Sequence, residues 1–340
     1  MSNLSKPQLI NAFSQLGQYL RNPDEQLINI ISAEKNYNAW FTVANVNRAI
    51  NAIADQLTPI RLEEWLSNYN IPTSSPQKIG LILAGNIPLV GFHDVLCVLV
   101  SGHFAMIKAS SQDSHLIQYI LKQLVEIEPA FADRFAFTER LENFDAVIAT
   151  GSNNTSRYFE YYFGKVPNII RKNRNSVAVL TGNETEEQLY TLGHDIFDYF
   201  GLGCRNVSKI LVPRDYDFTF FFESIQPWHP IIDHSKYNNN YDYNKSIYLV
   251  NRDKHLDNGF LLVKEDERWV SPLAVLFYQQ YDSIADAEIL LNNEADKIQC
   301  VVSNDKLNVT PQLVDFGTSQ QPGLEDYADG VDTLLFLSNL

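Results

Sequence analysis

The sequence is poor in cysteine and in basic residues. Its 340 residues include three cysteines, Cys97, Cys204 and Cys300, which are too few and too scattered for a disulfide framework or a thiolate metal site. We therefore expect reduced thiols, no bound metal and a cytoplasmic location. Asp and Glu number 41 against 26 Lys and Arg, a formal net charge of -15, which argues against a nucleic-acid-binding function.

Long apolar stretches are also missing. No segment reaches the roughly 18 consecutive apolar residues of a membrane span, because His93, Asp94 and His103 interrupt the longest candidate. The first residues show helical spacing of apolar side chains rather than the apolar core of a signal peptide. We expect a protein without a membrane span, whose N-terminus belongs to the mature fold.

The first half of the chain indicates an α/β fold. Residues 1–70 read as helices, with Trp40, Phe41, Ile50, Ile53 and Leu57 as candidate buried positions, and a Pro- and Ser-rich boundary follows at 71–76. Apolar strands then alternate with helices, which is typical of a parallel sheet covered on both faces in a Rossmann-type domain. The predicted strands are 78–85, 104–110, 145–150 and 176–181, and the predicted helices are 89–101, 114–127 and 153–163.

The second half repeats this alternation less regularly. The predicted elements are a helix at 185–200, strands at 208–213, 246–250 and 298–303, and a helix at 283–292. The Asn- and Tyr-rich tract 237–246 is interpreted as a polar surface loop. We predict a dinucleotide-binding domain with the N-terminal helices over 1–184 and a catalytic domain over 185–316. Residues 317–340 would add an edge strand or an oligomer contact.

Cys204 is the candidate nucleophile. It follows a predicted helix, between Gly203 and Arg205, with Lys209 nearby in the sequence. Glycines allow a substrate to approach the backbone closely, and cations favour thiolate over thiol. Cys97 and Cys300 lie inside apolar runs and should be buried and unreactive.

Other polar residues follow predicted strands, where open α/β sheets bind ligands. Asn86, in Ala84-Gly85-Asn86-Ile87-Pro88, is a neutral donor that could stabilise an oxyanion, although Asn-X-Pro is also an ordinary turn signal. Lys108 has the reach to contact a ribose or phosphate, and Gly151-Ser152 forms a phosphate-compatible turn at a helix start. The GxGxxG fingerprint is absent from the sequence, so dinucleotide binding cannot be argued from that motif.

Taken in order, several segments resemble the acyl-CoA reductase family of LuxC type, a branch of the aldehyde dehydrogenase superfamily. They are AGNIPL, IKAS, ATGS, RNSVAVL, FGLGCRNVSKILVP, ERWVSPLAVLFY and the C-terminal FGTSQQPGLEDYADGVDTLLFLSNL. The likeness runs from about Trp40 to the C-terminus. It implies an aldehyde-dehydrogenase-like fold, with a Rossmann-type cofactor domain and a second α/β catalytic domain.

The resemblance also implies roles for individual residues. Gly-Leu-Gly-Cys matches the superfamily's Gly-Gln-X-Cys nucleophile motif at Cys204, with Leu202 in place of the glutamine, and Asn86 matches the oxyanion asparagine of Pro-X-Asn-X-Pro. Lys108 and Ser110 match a Lys-Pro-Ser strand end that holds the adenosine ribose, with Ala109 in place of proline. Gly151-Ser152 matches a Gly-Ser turn near the pyrophosphate and nicotinamide. Glu267 matches a glutamate that holds the nicotinamide ribose, although the superfamily's motif is one residue shorter than the segment here.

One departure from the superfamily bears on the reaction. Aldehyde dehydrogenases that form acids carry a Glu-Leu-Gly-Gly-Lys motif whose glutamate activates water, and aligning RNSVAVL on it leaves Ile170 at that glutamate. Without this base, a Cys204 thioester should resist hydrolysis and survive to accept hydride or another thiol. The resemblance thus predicts reduction of acyl-CoA or an acyl-carrier thioester to an aldehyde with NADPH or NADH, in a homo-oligomer.

Two other functions stay open from the sequence. A cysteine acyltransferase or thioesterase would share the nucleophile and the oxyanion donor but would not bind a dinucleotide. A non-catalytic relative that serves in binding or oligomerisation would explain a chain shorter than most aldehyde dehydrogenases, but the presence of both Cys204 and Asn86 argues against it.

Overall fold

The computed structural model describes residues 4–73, 75–151, 153–172 and 174–340. The chain divides into two units, the first bounded by Met1–Lys172 together with Gly323–Leu340, and the second by Asn173–Pro322. The first unit starts with helices α1 (Lys6–Arg21), α2 (Glu25–Ala33), α3 (Val43–Gln56) and α4 (Pro59–Ser67).

Side-chain caps fix where α2, α3 and α4 begin, as the two threonine caps show. The hydroxyls of Thr42 and Thr58 accept the backbone N–H of Asn45 and Arg61, and each bond satisfies a donor that the first turn of a helix leaves unpaired. Of the five positions predicted to be buried, Phe41, Ile50 and Leu57 are in the core, while Trp40 and Ile53 are half-buried.

A parallel sheet forms the centre of the first unit. Its elements follow in the order β1 (Lys78–Ile82), α5 (Phe92–Val100), β2 (Phe104–Lys108), α6 (His115–Ile127), β3 (Phe135–Phe137), β4 (Ala146–Thr150), α7 (Asn153–Phe163) and β5 (Asn168–Arg171). The strand order is β3-β2-β1-β4-β5, with every pair parallel. After β3 the chain crosses back to add β4 on the other side of β1, and such a switch point is where open α/β sheets bind ligands.

The second unit contains a larger, mainly parallel sheet. Its elements are β6 (Asn175–Val179), α8 (Glu186–Phe197), β7 (Val207–Pro213), α9 (Phe218–Ile225), α10 (Ser235–Asn251), β8 (Leu256–Asp257), β9 (Leu262–Glu265), β10 (Val275–Tyr281), α11 (Ile284–Asn293), β11 (Ile298–Val302) and β12 (Gln312–Val314). The strand order is β12-β11-β6-β7-β10-β9-β8. Among these described strands, β8 and β9 pair antiparallel.

The boundary between the units lies earlier in the chain than predicted. The first domain was expected to end at residue 184, with the strand at 176–181 as its last strand. This strand is β6, and it pairs with β7 and β11 in the second unit. Strand β10, which pairs with β7 and β9, was not predicted. The apolar, alternating pattern indicated that these residues form a strand, but it did not indicate which sheet the strand joins.

The prediction for residues 237–250 was wrong. The tract expected to form a loop and then a strand is the single helix α10. Its buried residues, Tyr237, Tyr241, Asn244 and Tyr248, recur at helical spacing, whereas Val250 is 82% exposed, which suits a helix surface rather than a buried strand. Two of these tyrosine hydroxyls have partners, since Tyr237 donates to the Phe260 carbonyl at 3.0 Å and Tyr241 to Asp257 Oδ1 at 2.5 Å.

The C-terminal segment returns to the first unit and forms a helix rather than the predicted edge strand. Helix α12 (Thr333–Ser338) begins at Asp332, whose carboxylate accepts the N–H of Leu335, and buries Leu334 and Leu337. The hydroxyl of Tyr327 accepts a hydrogen bond from Trp65 Nε1 at 2.8 Å, and His103 Nε2 lies 2.9 Å from the Leu337 carbonyl. The predicted oligomer contact stays a prediction.

None of the helices that the structure describes combines the length and the apolarity needed to cross a membrane.

Candidate active site

The loop between β1 and α5 carries Asn86 at the carboxyl end of the first sheet. Gly85 packs so closely that a Cβ there would lie 2.5 Å from Cβ and Oγ of Ser110, which explains why glycine occupies this position. The loop ends at Leu89, whose backbone is left-handed with φ of 57° and whose N–H donates to the Asp113 carboxyl at 2.6 Å. Asn86, itself half-buried, thus lies in a loop fixed at both ends.

Lys108 and Ser110 lie at the end of β2, beside this loop. The backbone carbonyl of Lys108 accepts the N–H of Leu83, which joins the ends of the two strands, and its ammonium donates to the Glu139 carbonyl at 2.6 Å. The Ser110 carbonyl accepts the N–H of Asp113 at 3.1 Å, in the turn that leads into α6.

Gly151 follows β4, the strand on the other side of β1. A Cβ at Gly151 would lie 2.8 Å from the ring of Phe159 on α7, so only glycine lets the helix start this close to the strand. Ser152, predicted with it, lies outside the described residues. The structure therefore brings Asn86, Lys108, Ser110 and Gly151 to one edge of the sheet, at its switch point.

Cys204 lies in the second unit, between α8 and β7. Left-handed backbone at Tyr199, Phe200 and Gly201, with φ of 54°, 60° and 76°, turns the chain after α8. Two consecutive non-glycine residues in this region are uncommon and cost conformational energy. Cys204 is half-buried just before the strand begins.

The other cysteines are core residues, as predicted. Cys97 and Cys300 are both 0% exposed. Burial raises the pKa of the Cys97 thiol well above its usual range and that of Cys300 to about 11. Thiols with these properties remain protonated at neutral pH and are poor nucleophiles.

The two basic residues expected to favour the Cys204 thiolate have other partners. The Arg205 guanidinium donates to Gln312 Oε1 at 2.6 and 3.0 Å. Lys209 is fully buried, and its ammonium donates to the Glu267 carbonyl at 2.9 Å and to Gln279 Oε1 at 2.7 Å. Burial lowers the pKa of Lys209 to about 8, although neighbouring carboxylates oppose that shift. The sequence position of Lys209 next to Cys204 did not indicate these partners.

Lys209 instead holds the segment that contains Glu267. Besides the bond to the Glu267 carbonyl, its ammonium lies 4.6 Å from the ring centre of Trp269, and the Ser208 hydroxyl donates to the Trp269 carbonyl at 3.0 Å. The segment is anchored on β7 through its backbone, and the Glu267 side chain is exposed. A ligand could therefore reach this carboxylate.

Comparison with known proteins identifies the family. A model of the acyl-CoA reductase (LuxC) family matches residues 20–215, more than half of the chain. The chain belongs to this family. The match starts before Trp40, where the likeness was expected to begin, and it contains Asn86 and Cys204.

Solved structures similar to this LuxC-family protein include aldehyde dehydrogenases. Aldehyde dehydrogenase 21 of Physcomitrella patens, solved with the reaction product succinate, matches with a TM-score of 0.71 at 11% identity, over 99% of this chain and 84% of that one. The indole-3-acetaldehyde dehydrogenase AldA of P. syringae, solved with NAD+ and IAA, matches with a TM-score of 0.63 at 12% identity, over 88% and 72%.

KauB of Pseudomonas aeruginosa also matches, with a TM-score of 0.63 at 12% identity, over 91% of this chain and 76% of that one. Identities this low show the fold alone, and the predicted aldehyde-dehydrogenase-like fold is confirmed. Among curated proteins no sequence matches this one. Family and fold together support an aldehyde-related oxidoreductase.

The first unit of this LuxC-family protein fits a dinucleotide. Glycines at 85 and 151 leave no room for a Cβ, so the backbone turns tightly at the ends of β1 and β4. Lys108 supplies a cation at the same edge. Close backbone turns and a cation at a switch point are the features that bind pyrophosphate and ribose in open α/β sheets.

Sequence reasoning missed three polar residues that shape these loops. Asp113 holds Leu89 at the end of the Asn86 loop, while Asn206 and Ser176 bond to the backbone on either side of Cys204. Each is less than 5% exposed. A single polar residue near a motif does not indicate in the sequence that it will hold a loop, because its hydrogen-bond partner depends on how the chain packs.

Proposed function

We propose that the protein is an NAD(P)H-dependent reductase of acyl thioesters that forms an acyl-enzyme on Cys204 and releases an aldehyde. The observation that carries the proposal is the contrast between the cysteines. Cys204 is half-buried in a loop, whereas Cys97 and Cys300 are fully enclosed thiols with raised pKa values. In the described part of the chain, Cys204 is the thiol that a substrate can reach.

In the first step, the Cys204 thiolate attacks the carbonyl carbon of acyl-CoA or of an acyl-carrier thioester. The bond to the leaving sulfur breaks, the CoA or carrier thiol departs and takes up a proton, and the acyl group remains on Cys204 Sγ. Oxyanions form as the carbonyl is attacked, and we assign the Asn86 amide and the Cys204 backbone N–H as their donors. Preorganised donors of this kind contribute about 3–4 kcal/mol each.

In the second step, the acyl carbon is reduced. When bound, NADPH or NADH supplies the hydride. The carbon–sulfur bond then breaks, the aldehyde leaves, and Cys204 returns to the thiolate. The net reaction consumes one thioester, one reduced nicotinamide and one proton, and yields one aldehyde, one thiol and one oxidised nicotinamide.

We assign the dinucleotide to the first unit and the nucleophile to the second. Lys108 and Ser110 would hold the adenosine ribose, and Gly151 with Ser152 would lie near the pyrophosphate. Glu267, whose exposed carboxylate extends from an anchored segment, would hold the nicotinamide ribose. The similar structure of AldA, solved with NAD+, supports a dinucleotide in this fold. A homo-oligomer is also proposed, and light scattering of the purified protein tests it.

The proposal is tested by acyl labelling and by nicotinamide absorbance. The protein is incubated with radiolabelled acyl-CoA of short and long chains, and label is mapped to the Cys204 peptide. The matched control is Cys97→Ala, which removes a buried thiol, beside Cys204→Ala. We expect label on wild type and on Cys97→Ala but none on Cys204→Ala, together with loss of reduced nicotinamide and release of aldehyde.

Three outcomes would contradict the proposal. Label that persists in Cys204→Ala would reject the nucleophile. Label on Cys204 without consumption of either nicotinamide would indicate an acyltransferase or a thioesterase. The absence of both labelling and nicotinamide binding would indicate a non-catalytic member of the family.

A further inference from the structure

Buried polar side chains hold the backbone on both sides of Cys204. The N–H of Gly203 donates to Asn206 Oδ1 at 2.8 Å, and the N–H of Asn206 donates to the Gly203 carbonyl at 3.1 Å. After the cysteine, the Cys204 carbonyl accepts the Ser176 hydroxyl at 3.2 Å. Asn206 is 1% exposed and Ser176 is 0% exposed, so water does not compete for these bonds.

Asn206 also ties this loop to the end of α8. Its Nδ2 donates to the Asp195 carbonyl at 3.0 Å and to the Asp198 carbonyl at 2.9 Å. Carbonyls in the last turn of a helix lack partners within the helix, so the side chain satisfies groups that would otherwise be buried and unpaired. An amide can donate twice and accept at once, and neither aspartate nor alanine can replace it.

The direction of the Ser176 hydroxyl is set by a third buried group. Cys300 Sγ lies 3.0 Å from Ser176 Oγ, and burial raises the pKa of this thiol to about 11, so it keeps its hydrogen at neutral pH. A backbone carbonyl only accepts hydrogen bonds. The hydrogen bonds therefore run from the Cys300 thiol to the Ser176 hydroxyl and on to the Cys204 carbonyl.

We propose that Asn206 and Ser176 are positioning residues for Cys204. They hold the Gly203 backbone before it and its own carbonyl after it, and thereby fix the direction in which Sγ points. This inference rests on the proposed function, in which Cys204 attacks a thioester. Attack requires the sulfur within about 3–3.5 Å of the carbonyl carbon in the right direction, and a displacement of about 1 Å can reduce the rate about a hundredfold. The left-handed residues just before the loop cost conformational energy, and the surrounding bonds must offset that cost.

The test uses Asn206→Asp, which keeps an acceptor for Gly203 but loses both donated bonds, and Ser176→Ala, which removes the bond to Cys204. The matched control is Asn244→Asp. Asn244 is also a buried amide of the second unit, and its Nδ2 donates to the Asn240 and Leu273 carbonyls, both at 2.9 Å. Two properties are measured for each variant: hydrogen exchange of residues 199–206, and the rate of Cys204 acylation against acyl-CoA concentration.

We expect both loop variants to exchange faster at residues 199–206 and to acylate about ten- to a hundredfold more slowly at saturation. The acyl-CoA concentration that gives half the maximal rate should change less than about threefold, because binding is not what these bonds support. The control should keep the wild-type rate, even where it is equally destabilised.

The inference is overturned if exchange is unchanged in both loop variants, or if exchange rises while the acylation rate stays at wild-type level. It is also overturned if Asn244→Asp slows acylation as much as the loop variants do, since general destabilisation would then explain the loss. Failure of the proposed function is separately visible, because wild type itself would then not be acylated, while the exchange measurement still reports whether the loop is held.

Discussion

The carboxyl of Asp113 accepts a 2.6 Å hydrogen bond from the backbone N–H of Leu89, the left-handed residue that ends the Asn86 loop. The other oxygen of this carboxyl is buried without a partner. Burial raises the pKa of Asp113 to about 8, against the lowering effect of the Leu89 bond. A protonated carboxyl therefore supports the loop at neutral pH.

This pKa predicts how stability changes with pH. The folded protein binds the Asp113 proton up to about pH 8, whereas the unfolded chain releases it near 3.8, so the contribution is complete at low pH and is lost as the pH rises to about 8. Asp113→Asn keeps an acceptor for Leu89 and removes the titration. We expect the free energy of unfolding of this variant, measured with urea, to increase relative to that of wild type as the pH rises from about 5 to about 8. A difference that stays constant over this range would contradict the raised pKa.

A second prediction concerns Gly85, beside Asn86. Gly85→Ala places a methyl group 2.5 Å from Cβ and Oγ of Ser110, and overpacking of this kind costs about 1–3 kcal/mol. Ser110→Gly removes the atoms that collide, so the double variant should recover most of the lost stability. Urea denaturation of the two single variants and the double variant measures this coupling. Additive effects would show that the contact does not limit this loop.

The sequence predicted most of the first sheet because each strand is a short apolar run bounded by turn residues. Strand β4, for example, is Ala146–Thr150 where 145–150 was expected. The positions of Asn86 and Cys204 at loops beside parallel strands followed from the same alternation and from the family motifs. Strands β3 (Phe135–Phe137) and β5 (Asn168–Arg171) were not predicted, because runs of three and four residues carry only a weak pattern.

Partners that come from distant parts of the chain could not be predicted. Lys209 was assigned to the neighbouring Cys204, but packing directs its ammonium to Glu267, 58 residues away. The tyrosines of α10 were read as loop residues because their tract is polar, and only the neighbouring Phe260 and Asp257 groups show why those hydroxyls can be buried. The composition of a segment does not show which of its residues are buried, because burial depends on the other segments that pack against it.

A third prediction concerns the buried ion pair of Arg171 and Asp94 in the first unit. Their side chains are 7% and 8% exposed, with Nη1 and Oδ2 2.5 Å apart, and Arg171 Nη2 also donates to Thr333 Oγ1 at 3.0 Å. Arg171→Met leaves a buried carboxylate unpaired and should cost about 3–5 kcal/mol. Arg171→Met with Asp94→Leu removes both charges and should recover most of this cost. Urea denaturation tests it, and a double variant as unstable as Arg171→Met would show that the pair itself stabilises the fold.

The last prediction concerns the lifetime of the acyl-enzyme. The resemblance to the superfamily places Ile170, on the edge strand β5, at the position of the water-activating glutamate, and its side chain carries no group that accepts a proton. General bases accelerate such steps by about a hundred- to ten-thousandfold, so hydrolysis of acyl-Cys204 should be slow by about that factor. Labelled protein freed of excess acyl-CoA should therefore keep its label in buffer, and addition of NADPH or NADH should discharge the label as aldehyde. If the label instead leaves in buffer as free acid at the rate seen with nicotinamide present, another residue activates water and the protein is a thioesterase in practice.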